Sequence, residues 1–245
     1  MAVFNPVSLI AFICGAGASM GLLIITTSRY ENKFEDKGVF LTYAFGLGVG
    51  LFLGLGHAWL MMSYIEAMEN ITPLSVIIVG LIMAVLTTLI ITVFTNRKAF
   101  FKTDSAKFIG LSIGLGLAGS LIFAKLFADL NYFYKDELDN PNLYMKLALY
   151  LLSVLFVHAA AGLIQGQETS RGYMKLGIMK AFFVMAPFYG ALFFHYVYFD
   201  PPQQWFFLFI LTLYGFGLFL YFYKRYIVNE FVTAPKRRLR GRRRR

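Results

Sequence analysis

Cysteine is nearly absent from this chain: Cys14 is the only one in 245 residues. No intrachain disulfide can form, and a cysteine-built zinc site is excluded. Cys14 itself reads as a small buried hydrophobe. Charge is also scarce, at 15% of residues against 58% hydrophobic ones, where a soluble domain carries about 25% and roughly 45–50%. Such an excess is too large for a soluble core. Histidine occurs three times, and acidic residues number only 13 against 23 lysines and arginines. No phosphate loop, His-Glu-x-x-His zinc motif or Gly-x-Ser-x-Gly nucleophile elbow occurs. The N-terminus lacks the basic region of a secretory signal, and charged residues rather than an Ala-x-Ala site follow the first apolar run. That run is therefore expected to stay as a membrane helix.

What the chain has instead is long apolar runs. A hydrocarbon core about 30 Å thick requires roughly 20 apolar residues per helix. Seven runs satisfy this, at about 7–27, 39–65, 72–94, 108–130, 143–167, 178–199 and 204–227. In lipid each must be helical, because an isolated strand would leave its peptide groups unpaired. The expected fold is all-α, a bundle of seven transmembrane helices in one domain over residues 1–230, with a disordered polybasic tail over 231–245. Twenty of the 23 basic residues fall in the first, third and fifth connections and from Lys224 onward. The positive-inside rule then places the N-terminus outside and the C-terminus in the cytoplasm. A prokaryotic plasma membrane is the expected location, with an internal membrane as the alternative.

Glycine is patterned. Gly46, Gly50 and Gly54 recur every four residues in the second run and share one helix face; Gly110 and Gly114 do so in the fourth, beside a second ridge of Ser112, Gly116 and Ser120. Small residues on one face let two backbones approach closely. The second and fourth helices are expected inside the bundle and in contact. The seventh, aromatic from Trp205 to Tyr223, is expected to face lipid, with rings at its two ends in the interfaces.

Ionisable groups at membrane depth are costly and are functional candidates by default. His57 falls about seven residues inside the outer end of helix 2, roughly 10 Å. Lys125 and Asp129 are spaced to neutralise each other on one helix face. His195 and Asp200 belong to the outer half, as do Glu66 and Glu69, whereas His158 is placed roughly 15 Å deeper than His195. No cofactor is expected; the alternative is a divalent metal with His57, His195 and Asp200 as ligands, each of which would have to reach within about 2.0–2.2 Å of one ion. A retinal lysine is missing from helix 7, and Arg97 after helix 3 has no acidic neighbour of the kind found in G-protein-coupled receptors.

The segment Phe156-Val-His158-Ala-Ala-Ala-Gly162-Leu-Ile-Gln-Gly166, followed by a basic loop and by Phe194-His195-Tyr-Val-Tyr-Phe-Asp200, resembles the last two motif helices of PrsW-type intramembrane proteases, relatives of the CAAX-protease superfamily. That resemblance covers helices 5 and 6. It implies catalytic roles for His158 and His195, with Glu66 and Glu69 as the available carboxylates. The family's Glu-Glu-x-x-Lys motif is missing, and Glu66-Ala-Met-Glu69 has a different spacing. Without a carboxylate beside the histidines, general-base hydrolysis lacks its base. The expectation is a non-catalytic scaffold or accessory subunit working with other membrane-protein subunits. The alternatives are a PrsW-like hydrolase and a channel or transporter lined by helices 2 and 4.

The tail carries Lys236, Arg237, Arg238, Arg240, Arg242, Arg243, Arg244 and Arg245 without an acid among them. Such a block repels itself and stays extended. Its expected partners are anionic lipid headgroups, at about 1 kcal/mol per basic residue near the surface, or ribosomal RNA phosphates. DNA is not an expected partner.

Overall fold

The computed structural model describes residues 6–66, 72–98, 100–133, 138–198 and 201–229. Among these it is all-helical, with seven helices long and apolar enough to cross a membrane. They are α1 (Val7–Tyr30), α2 (Asp36–Glu66), α3 (Pro73–Thr95), α4 (Ser105–Tyr132), α5 (Pro141–Ser170), α6 (Met174–Tyr198) and α7 (Gln203–Val228). Several start a turn earlier than the apolar runs, as α6 does at Met174 and α2 at Asp36. Hydropathy reports the lipid-soluble part only, whereas backbone hydrogen bonding continues into the polar turns.

Local chemistry sets the starts of two helices. Thr72 caps α3 in a reciprocal box with Ser75, and Pro73 occupies the first turn, where its missing N–H costs nothing. Asn140 accepts from the Asn142 N–H ahead of α5, again with proline at the first position. Pro187 lies inside α6, where it withdraws one intrahelical bond. The Tyr214 hydroxyl of α7 donates to the Val184 carbonyl close to that break, at 3.0 Å.

α4 is the hub. Of its apolar window 83% is buried, and of that of α5 72%, against 22–44% for the others. α4 packs on α1, α2 and α5, α5 also on α6 and α7, and α6 on α3. The expectation for α2 needs correction: it touches α4 along its glycine face, but Phe45, Phe52 and Leu55 on its other faces are exposed. It is a peripheral helix with one buried stripe. α7 faces outward as expected, with only 22% of its window buried.

The directions of packed pairs follow from their contacts. Ser112 Oγ donates to the Val39 carbonyl and Ser120 Oγ to the Leu47 carbonyl. Both partners advance by eight residues, so α2 and α4 run parallel. Gly110 lies against Gly166 and Gly162, while Gly114 lies against Gly162 and His158, so α4 and α5 run antiparallel. Both relations are those of a chain that reverses direction at every crossing.

The glycines act as the spacing indicates. A Cβ on Gly46 would stand 3.0 Å from the Gly116 Cα, and one on Gly50 3.0 Å from the Leu117 Cα. One on Gly54 would meet the Ala124 Cβ at 2.6 Å. Gly110 and Gly162 face each other so closely that a Cβ on either would run into the other's carbonyl. In lipid, where helix association relies on packing and interhelical hydrogen bonds rather than on expulsion of water, such backbone contact holds the bundle together.

Candidate functional site

Three sets of buried polar and charged groups stand out among the described residues. The middle set is centred on His158. Its Nδ1 lies 2.8 Å from the Val154 carbonyl oxygen, which can only accept, so Nδ1 carries the proton. Nε2 is then an acceptor, and takes the Tyr189 hydroxyl proton at 2.9 Å. With that proton committed, the Thr87 hydroxyl, 3.3 Å away, donates to the Tyr189 oxygen. One chain of hydrogen bonds thus ties α3, α6 and α5, and both ring nitrogens of a fully buried histidine are used. Tyr189, the residue that His158 bonds, is six residues before His195 on α6, about 9 Å along that helix.

The second set lies towards the end opposite the basic loops. Lys125 and Asp129 form an ion pair on α4, with side chains only 10% and 2% exposed, as their four-residue spacing indicates. The His57 ring stacks on Phe193 at 4.8 Å between centroids, and its Nε2 is buried without a hydrogen-bond partner among the described residues. His195 Nδ1 bonds the Leu192 carbonyl, and its ring stacks on Phe207. Phe193 and His195 are two apart on α6 and so point about 200° from each other. His57 and His195 therefore pack on different faces of that helix. The Lys125 ammonium is within electrostatic reach of both rings.

Among the described residues no three His, Cys, Asp or Glu side chains converge on a point that could hold a metal ion. Glu66 closes α2, with its side chain outside the description, and Glu69, Asp200 and the eight basic residues of the tail lie outside the described residues altogether. Of the expected hydrolase residues, His158 bonds Val154 and Tyr189, whereas His195 bonds Leu192 and stacks on Phe207.

The third set, at the basic end, was not anticipated. The Glu168 side chain, 2% exposed, pairs with Lys180 at 2.5 Å, and Gln165 beside it is fully buried. Lys107, 2% exposed, reaches Asp104 at 3.4 Å. Reading α5 as ending near residue 167 assigned Glu168 to a loop, whereas the helix runs to Ser170. The available signal was a lone acid in an otherwise basic connection.

Comparison with known proteins finds no family model, curated protein or solved structure that matches the chain.

Proposed function

We propose that this chain is a non-catalytic multi-pass membrane protein, a scaffold or accessory subunit of a larger membrane assembly. In this reading the N-terminus is outside and the C-terminus is in the cytoplasm of a prokaryotic cell. Its polybasic tail engages anionic headgroups or ribosomal RNA at the inner surface. The observation that carries the reading is the employment of His158. A catalytic base needs a nitrogen free to take a proton from water, and here one nitrogen holds the Val154 carbonyl while the other holds Tyr189. The side chain that the PrsW resemblance would make catalytic serves as a cross-link between helices.

The close glycine contacts agree with a structural role, since they hold α4 at the centre of a rigid bundle. Purified protein assayed for metal content and for cleavage of membrane-anchored peptides tests the reading. It predicts the same outcome for the natural chain and for His158→Asn. A turnover or bound metal that disappears with His158→Asn would replace the scaffold with the hydrolase.

A further inference from the structure

The seam between α3 and α6 opens into a groove at the basic end. A hollow of about 420 Å³ is walled by Val85, Leu89, Ile178, Met179 and Phe182, with Thr88 at its side and Lys175 at its mouth. Lys175 also borders a second hollow of about 520 Å³, with Phe101, Tyr173 and Met174. Phe101 and Met174 in turn border a third, of about 330 Å³, beside Asn96 and Lys98. The three adjoin through shared lining residues, and the depression they make up is apolar along the seam and carries Lys175 and Lys98 towards the basic end.

The polar chemistry of this depression is unspent. Thr88 is 1% exposed and its hydroxyl has no hydrogen-bond partner among the described residues. Lys98 and Lys175 are exposed and form no ion pair among those residues. The nearby acids are already engaged, Asp104 by Lys107 and Glu168 by Lys180.

The rim is fixed by contact between the connection after α3 and the last turn of α5. The Lys102 N–H donates to the Thr169 carbonyl at 3.2 Å. Lys102 adopts a positive φ of 61°, which a residue with a side chain holds only where its surroundings impose it. Its ammonium lies 5.6 Å from the centre of the Phe101 ring.

We propose that this depression binds one anionic phospholipid. An acyl chain lies along the α3–α6 seam between Leu89 and Phe182, and the phosphate sits between Lys98 and Lys175. The apolar wall accepts the chain, and the ammonium groups meet the charge. Basic pockets between membrane helices select headgroups in this way. The site is built from residues of α3, α6 and the connection after α3, and does not depend on the tail's role.

A reporter inside the groove separates this site from attraction of lipid by the tail. Met179 lines the groove and is 52% exposed, so Met179→Trp in the full chain, with Trp59→Phe and Trp205→Phe, gives one emitter there. Its fluorescence is measured in phosphatidylcholine vesicles doped with dibrominated phosphatidylglycerol or dibrominated phosphatidylcholine. Quenching is expected at a phosphatidylglycerol mole fraction on the order of tenfold lower, and Lys98→Gln with Lys175→Gln is expected to abolish that difference. These exposed lysines leave the packed interior untouched. Equal quenching by the two lipids overturns the site, and so does a preference that survives the double substitution.

Discussion

Tyr189 donates its hydroxyl proton to His158 Nε2 across the α5–α6 contact, and the same oxygen accepts from Thr87 on α3. Three helices meet at one phenol. Interhelical hydrogen bonds in membranes contribute about 0.6 kcal/mol on average and up to about 1.7. Tyr189→Phe is expected to cost an amount in that range, because it deletes both bonds and leaves the ring in place. A double-mutant cycle with His158→Leu, read by unfolding in detergent, should return a coupling of the same size. A coupling of zero would mean that the two side chains do not bond.

Glycine substitutions should divide by their contacts. Gly114→Ala drives a methyl into the His158 carbonyl, and overpacking of this kind costs about 1–3 kcal/mol. Gly48→Ala meets nothing within 4 Å, and exchanging a mid-helix glycine for alanine favours the helix by up to about 1 kcal/mol. Opposite signs are therefore expected for the same chemical change. Thermal unfolding of the two variants checks this.

Breaking the Lys125–Asp129 pair should be more harmful than removing it. Loss of one partner leaves a buried charge uncompensated, at about 3–5 kcal/mol, while apolar replacement of both is often close to neutral. Lys125→Met and Asp129→Leu are each expected to destabilise strongly, and the double variant to recover most of the loss. Three unfolding curves decide it. An additive double variant would contradict the pairing.

Removal of residues 235–245 should weaken pelleting with anionic liposomes or with ribosomes, whichever the tail binds. Both interactions should fall as salt rises, since counterion release and screening act on lipid and RNA phosphates alike. Pelleting that is unchanged by the deletion would assign the binding to another surface.

Much of the architecture was legible in advance because lipid leaves few choices. An apolar run of sufficient length has to be a helix, and glycines at four-residue spacing mark the face where another helix approaches. The Gly46, Gly50 and Gly54 ladder found α4 in this way. The other side of the same helix carries bulk, and Phe52 and Leu55 there are exposed, so α2 is peripheral. Ala159, Ala160 and Ala161 beside Gly162 and Gly166 were the corresponding small-residue signal for α5, which is buried nearly as deeply as α4.

The polar site was legible only within single helices. Lys125 and Asp129 are four apart, and spacing alone predicts their bond. His158 and Tyr189 are 31 residues apart on different helices, and no periodicity relates them. A buried histidine whose partner cannot be named reads as potential chemistry; in the structure both ring nitrogens of His158 are hydrogen-bonded, to Val154 and to Tyr189.

Extraction of the chain from its native membrane with the surrounding lipid retained, followed by native mass spectrometry, tests the central claim most directly. A scaffold or accessory subunit should emerge with other membrane-protein subunits at fixed stoichiometry, and His158→Asn should leave that composition unchanged. A lone chain that carries a stoichiometric metal and cleaves a membrane substrate only while His158 is present would contradict it.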